Sequence, residues 1–355
     1  MDELKILELF GGIGAIRKAF VRQNIPIKVV DYVEIDKYAV ASYNAIFGEQ
    51  FEPQDIRDWN KGIECDFIMH GSPCQDFSVA GLNKGGDEGS GTRSSLMWET
   101  IRIIEKLKPK YILWENVKNI ISHKHKHNFD KYINKLNELG YKSFWQVLNA
   151  KDYGIPQNRE RAFTISIRND ICKGFFCFSD KKELKLKLKD LLEIDVEEKY
   201  YISDKRKQLL LSDTNNWVVS ERKYEINRDI ARTINTREGS TRTDASEYIC
   251  NELPDNYNIL RIKNNNKKGY DIATYGDAIN LEYLTSATRR GRVGHQVSQT
   301  LQASGSMGVV DNINDLRIRK LTPKECWRLM GFDDIDFDKA SKVNSNSQLY
   351  KQARK

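Results

Sequence analysis

The chain has 355 residues, and 57 Lys and Arg against 50 Asp and Glu leave a net charge of +7. Such a length corresponds to about two domains with room for real cores, which excludes a peptide or a lone small module. The basic excess suits a polyanionic partner, and 10% aromatic residues argue against wholesale disorder.

No run of about 18 apolar residues is present, and the opening MDELKILELF carries acids where a secretory signal carries bases, so the expected compartment is the cytoplasm. The six cysteines are spread along the chain without a C-x-x-C pair and read as free thiols.

From Lys5 to about Ile167, short apolar runs alternate with amphipathic stretches: KILELF then AIRKAFVRQN, IKVVDYVEID then KYAVASYNAIFG, DFIMHGS then LMWETIRIIEKLK, YILWENV then FDKYINKLNELG, and RAFTISI. Strand and helix in alternation predict an α/β fold on a doubly wound, mostly parallel sheet. Leu9 and Phe10 run into Gly11, Gly12, Ile13 and Gly14 and then into helical AIRKAF. A glycine-rich turn there, between first strand and first helix, is where such a sheet binds a nucleotide cofactor. Glu34, 20 residues after Gly14 at the end of the second strand, places a carboxylate within reach of ribose hydroxyls. Arg17 stands where G-x-G-x-x-G would have its third glycine, which favours a cofactor with a ribose but no diphosphate, such as S-adenosylmethionine. A plain tight turn beside a surface acid would read the same way. Asp55 and Ile56 fall where a third strand would end and could meet an adenine.

The strand DFIMH ends in Gly71, Ser72, Pro73 and Cys74, which puts a thiol on a turn at the carboxyl edge of the sheet. Thiolate is the nucleophilic form, so Cys74 there needs a lowered pKa or removal of its proton during reaction. The next strand, YILWENV, ends in Glu115 and Asn116, so a carboxyl group projects into the same crevice. A lone Cys is more often a buried small hydrophobe and a lone Glu a surface charge. On adjacent strand ends beside a nucleotide turn, the two read instead as nucleophile and acid facing one substrate. His123, His125 and His127 alternate with lysines and read as a solvated loop rather than a metal site.

Asn137 to Gly140 closes a helix with glycine just past the last apolar residue. In PQNRERAF, Gln157, Arg159 and Arg161 alternate and so share one strand face. KKELKLKLKDLL, after Asp180, reads as a solvated surface element. Between about residues 193 and 315 the text is polar, with fragments such as RTINTREGSTRTD and TRRGR, and predicts a loop-rich second domain with little helix. TRRGR, Thr288 to Arg292, reads as a phosphate patch. RKLTPKECWRLMGF returns to helical periodicity, with Thr322 as N-cap, Pro323 as first helical residue and Glu325 as the third-position acid.

FGGIG, VEID, GSPCQDFS, GTRSSLMWE, ENV, VLNAKDYGIPQNRERAF and RKLTPKECWRLMGF, in that order, resemble the ordered motifs of DNA (cytosine-5) methyltransferases of the bacterial restriction-modification (type II) kind. The resemblance is dense over the first and last parts of the chain and loose in the middle. It implies a Rossmann-like methyltransferase domain at 1–192 and 333–355, a target-recognition domain at 193–332, S-adenosyl-L-methionine as cofactor and double-stranded DNA as substrate. It also implies that Cys74 attacks C6 of a cytosine flipped out of the duplex, while Glu115 engages N3 and the exocyclic amine. Arg161 would contact the base O2, and Arg159 would support DNA and the catalytic loop. Phe10, Gly12, Gly14, Glu34, Asp55, Ile56, Pro73 and Asn116 would line the cofactor pocket. DNA would be bound by Ser78, Gln157, Arg292, Thr300, Leu301 and Gln302, with Thr300 and Leu301 resembling the family's Thr-Leu landmark. No metal is implied, and the implied role is protection of host DNA from a cognate restriction endonuclease.

SQLYKQ resembles the start of the family's last motif, which continues with Gly-Asn and a further helix; here Ala353, Arg354 and Lys355 follow instead. Besides an active DNA methyltransferase, this leaves a member inactive alone, or one completed by a second chain. A tRNA cytosine-5 methyltransferase with the same Pro-Cys and ENV apparatus is the remaining reading, and the large basic middle region favours DNA over it.

Overall fold

Up to Arg168 the alternating pattern forms β1 (Leu4–Leu9), α1 (Ala15–Arg22), β2 (Ile27–Val33), α2 (Lys37–Phe47), β3 (Phe67–His70), α3 (Met97–Leu107), β4 (Tyr111–Val117), α4 (Lys126–Glu138), β5 (Tyr141–Asn149), β6 (Gln157–Asn158) and β7 (Glu160–Arg168). The chain continues with α5 (Asp204–Leu210), β8 (Leu260–Lys263), β9 (Tyr270–Ala273), β10 (Ala278–Asn280), β11 (Val293–Gly294), β12 (Ser298–Gln299), β13 (Met307–Val310), β14 (Ile318–Lys320), α6 (Pro323–Arg328), α7 (Asp334–Ser341) and α8 (Asn346–Gln352). This computed structural model describes residues 3–73, 86–210, 260–286, 288–301, 305–311 and 317–353. RTINTREGSTRTD lies outside the described residues.

Six strands make the main sheet, in the order β2-β1-β3-β4-β7-β5. β2, β1, β3 and β4 pair in parallel, and β7 runs antiparallel to both β4 and β5, so the sheet is mixed. β3 is buried along its whole length, as a central parallel strand must be. One face is covered by α3 and α4, whose Trp98, Ile103, Phe129, Tyr132 and Leu136 join Ile112 and Trp114 in the largest apolar cluster. Ile16 and Phe20 of α1 pack on Ile6, Phe67 and Met69 of the other face.

Residues 51–60 form no strand, so the third strand expected to end at Asp55 is absent. This crossing is bonded instead to Asp31, a buried acid within the apolar run of β2. Its carboxylate accepts from Trp59 Nε1 at 2.7 Å, Lys61 Nζ at 2.8 Å and Gln54 Nε2 at 3.0 Å. Burial pushes the Asp31 pKa up, but the bonds from Lys61, Trp59 and Gln54 outweigh it and hold the group below its ordinary value. Side chains rather than a backbone ladder therefore tie this crossing to β2.

Two compact units emerge: Met1–Val196 with Gln296–Ser306 and Leu321–Lys355, and Glu197–His295 with Met307–Lys320. The expected second domain, 193–332, is thus interrupted and ends earlier, because two of its stretches belong to the first unit. β12 pairs in parallel with β6. α6 is held by Glu193, whose N–H donates to Glu325 Oε1 at 2.8 Å, and by Arg328, which donates to the Leu191 carbonyl at 2.8 Å. Thr322 caps α6 as expected: its Oγ1 accepts from Glu325 N–H at 3.2 Å while Glu325 Oε2 accepts from Thr322 N–H at 2.7 Å. α8 docks on α2, where Gln352 accepts from Ser42 Oγ and donates to the Tyr38 carbonyl, each at 2.9 Å. In the second unit, an antiparallel sheet β11-β10-β13-β14 and the hairpin β8-β9 enclose Leu260, Ile262, Ala273, Ile279, Leu281, Val310 and Ile318.

Candidate active site

The glycine turn follows from backbone conformations that side chains resist. Phe10, Gly12 and Gly14 have φ of 54°, 54° and 79°. A Cβ on Gly14 would lie 2.5 Å from Phe47 Cε2 and 2.9 Å from Tyr43 Cε2. Gly14 is therefore required by the rings of α2. Arg17, where a third glycine was missing, lies 4.3 Å over the Phe47 ring and donates to Tyr43 Oη and Glu49 Oε1, each at 2.8 Å.

At the end of β2, Glu34 is buried and its carboxylate accepts from Gly12 N–H at 3.1 Å and Asp36 N–H at 3.0 Å. A carboxylate oriented by two backbone donors against the glycine turn fits a ribose diol, and these residues fit a nucleoside cofactor. Asp55 accepts from Arg57 Nη2 at 2.5 Å and Nε at 3.1 Å, and the Arg57 bond holds its pKa below the ordinary carboxylate value. Ile56 is corrected: its side chain lies in the core, and its carbonyl accepts from Arg102 Nη2 at 2.9 Å. Arg102 also binds the Trp59 carbonyl at 2.9 Å and so clamps the turn after Asp55. Nothing in its spacing on α3 distinguishes it from a solvated arginine.

β4 presents Glu115 to one face of the sheet and Trp114 and Asn116 to the other. Glu115 Oε1 accepts from Arg161 Nε at 3.0 Å, with Arg159 Nη2 at 3.9 Å, because β7 pairs antiparallel to β4 with Arg161 opposite Val117. A Cβ built on Gly71 would lie 3.6 Å from Glu115 Oε2, so the turn leading through Pro73 toward Cys74 passes beside this carboxylate. Cys74, Ser78 and Gln302 lie outside the described residues. Asn116 is 2% exposed, and its Nδ2 lies 3.2 Å from Ser72 Oγ and 3.4 Å from the Ser72 carbonyl, while its Oδ1 accepts from Val117 N–H. It therefore steadies the turn after β3.

Of the described members of the expected DNA-contact set, Gln157, Arg292 and Leu301 are buried and Thr300 is partly exposed. Gln157 is 0% exposed within the β6-β12 pairing. Thr300 donates its hydroxyl to the Asn158 carbonyl at 2.9 Å and Leu301 is buried, so the Thr-Leu landmark anchors its segment to the first unit. Arg292 is 1% exposed and donates to the carbonyls of Asn280 at 3.2 Å, Glu282 at 3.0 Å and Tyr283 at 2.8 Å. A guanidinium satisfied by three interior carbonyls is a structural clamp, not a phosphate contact.

Two further buried groups titrate in opposite senses. Glu8 in β1 is 2% exposed, and burial pushes its pKa up to about 7 against the bond from Tyr43 and the charge of Arg17. Its folded form keeps a proton that the unfolded chain releases near 4.5, so stability present below that pH falls by about 3 kcal/mol as pH rises to about 7. Burial pushes His70 down from 6.5 to about 3, so its contribution is present above 6.5 and lost as pH falls. Glu8→Gln retains an acceptor for Tyr43 and leaves the His70 slope unopposed. Thermal melts of this variant are expected to rise more steeply between pH 4.5 and 7 than those of the wild type.

The family model for C-5 cytosine-specific DNA methylases matches residues 4–353. The chain belongs to the C-5 cytosine-specific DNA methylase family. This methylase is 32% identical to the type II methyltransferase M2.ScrFI of Lactococcus lactis subsp. cremoris, over 99% of its own length and 94% of the relative's. It is also 32% identical to the type II methyltransferase M.HhaI of Haemophilus parahaemolyticus, over 98% and 89%. A putative DNA modification methyltransferase from an E. coli prophage and S. pombe Dnmt2 share the fold, each with a TM-score of 0.55, at 19% and 18% identity. These two structures are covered to 98% and 93%, and this chain to 99% in both cases. The methylase is a DNA cytosine-5 methyltransferase that uses S-adenosylmethionine as methyl donor. No helix among the described residues is long and apolar enough to cross a membrane.

Proposed function

We propose that the reaction runs through Cys74, Glu115 and Arg161, with Phe10, Gly12, Glu34, Asp55 and Pro73 holding the cofactor and the second unit selecting the DNA sequence. The observation that carries this is the Glu115 carboxylate, held by Arg161 at 3.0 Å and flanked by the turn that leads into Pro73 and Cys74. Cytosine C5 is a poor nucleophile until the ring accepts an electron pair, and its atoms are reachable only once the base leaves the stack. The Cys74 thiolate bonds to C6, and the C5=C6 electron pair moves into the ring while Glu115 hydrogen-bonds N3 and the exocyclic amine. Arg161 holds Glu115 at the base, and Arg159 reinforces the same carboxylate. When bound, S-adenosylmethionine supplies a sulfonium methyl to C5. Loss of the C5 proton to a base then lets the C6–S bond break, which returns the thiolate and the aromatic ring.

Because M2.ScrFI and M.HhaI are type II methyltransferases, we place this chain in a restriction-modification setting in the cytoplasm, protecting one short duplex sequence from a cognate endonuclease. Incubation with tritiated S-adenosylmethionine and either duplex DNA or tRNA tests the reading. Label is expected in DNA and absent with Cys74→Ser; label in tRNA, or none at all, overturns it.

A further inference from the structure

The turn between β3 and the nucleophile is fixed by a contact that the reaction steps do not use. Ser72, two residues before Cys74, is 3% exposed. Its Oγ accepts from Trp114 Nε1 at 3.0 Å and from Asn116 Nδ2 at 3.2 Å. The turn straddles the end of β4, with Gly71 against Glu115 on one face and Ser72 against Trp114 and Asn116 on the other. Both donors are themselves held: Trp114 packs 4.3 Å from the Tyr132 ring and 5.6 Å from Phe129, and Asn116 Oδ1 accepts from Val117 N–H at 2.8 Å. Two N–H donors fill the acceptor positions of one hydroxyl. A methyl group in its place would leave the buried Trp114 Nε1 without this acceptor and Asn116 Nδ2 with only the Ser72 carbonyl at 3.4 Å.

We propose that Ser72 is a positioning residue for methyl transfer: its hydroxyl, bonded by Trp114 and Asn116, sets the course of the backbone from β3 toward Cys74. This rests on Cys74 being the nucleophile. Addition to C6 requires the reacting atoms in near-attack geometry, and a misplacement of about 1 Å costs about 100-fold. Of the residues proposed to hold the cofactor, only Pro73 shares this turn, so the loss is expected in the rates far more than in the affinities for cofactor and DNA.

The test compares wild type, Ser72→Ala, Ser72→Thr, Trp114→Phe and Cys74→Ser. Single-turnover methyl transfer and adduct formation with 5-fluorocytosine DNA are measured beside the affinities for S-adenosylhomocysteine and DNA. Ser72→Ala is expected to slow both rates about 10- to 100-fold with both affinities within about twofold, and Ser72→Thr, which keeps the hydroxyl, to recover most of the rate. Trp114→Phe removes one of the two bonds and is expected to slow adduct formation about 3- to 10-fold, which decides the matter should Ser72→Ala not fold. An adduct rate in Ser72→Ala within about twofold of wild type overturns the proposal, as does a loss that follows cofactor affinity in parallel. So does an unchanged rate in Trp114→Phe. An adduct formed by Cys74→Ser instead overturns the nucleophile assignment, whatever Ser72 does.

Discussion

Glu115→Gln is expected to lower kcat about 10²- to 10⁴-fold while leaving the folded state intact. Glutamine keeps the shape at the end of β4 and can still accept the Arg161 bond seen at 3.0 Å, so packing against β7 survives. What is lost is the ionisable carboxyl, which can pass a proton to N3 as electron density enters the ring where an amide cannot. Steady-state methylation with S-adenosylhomocysteine binding as control separates the outcomes: kcat falls and cofactor affinity holds. A kcat within a factor of about three of wild type would remove Glu115 from the reaction.

The second large effect is on stability. Gly14→Ala places a methyl at φ of +79° and drives it to 2.5 Å from Phe47 Cε2. The left-handed backbone costs roughly 1–2 kcal/mol and the overpacking roughly 1–3 more, against a total stability of about 5–15 kcal/mol. Gly48→Ala is the control, because its φ is +72° but nothing lies within 4 Å of the added carbon. Urea unfolding is expected to show Gly14→Ala less stable than Gly48→Ala by roughly 1–3 kcal/mol. Equal losses would mean that Tyr43 and Phe47 move aside.

Much of the catalytic unit is legible in the sequence because burial imposes periodicity. Apolar alternation locates β1 to β4 and their helices, and the local chemistry of Thr322, Pro323 and Glu325 fixes the start of α6. Register explains why Glu115 and Arg161 meet, once β7 is known to run antiparallel. Other features depend on partners that spacing does not name. Asp31 reads as one acid in a strand, yet its bonds to Gln54, Trp59 and Lys61 replace a third strand. Arg292 reads as a basic loop residue, but its acceptors are backbone carbonyls, which every sequence carries and none advertises. Thr300 and Leu301 look like part of a recognition loop, whereas their segment pairs beside β6 and belongs to the first unit. Ser72 is a common small residue whose two donors lie on another strand.

The thiol that follows Gly71, Ser72 and Pro73 in the chain is expected to form a covalent bond to cytosine. Duplex DNA with 5-fluorocytosine at the target position blocks loss of the C5 substituent, so the adduct persists and its peptide can be mapped by mass spectrometry. A single cross-linked peptide attached through Cys74 is expected, with no adduct in Cys74→Ser; attachment through any other residue, or an adduct that survives in Cys74→Ser, would place the nucleophile elsewhere.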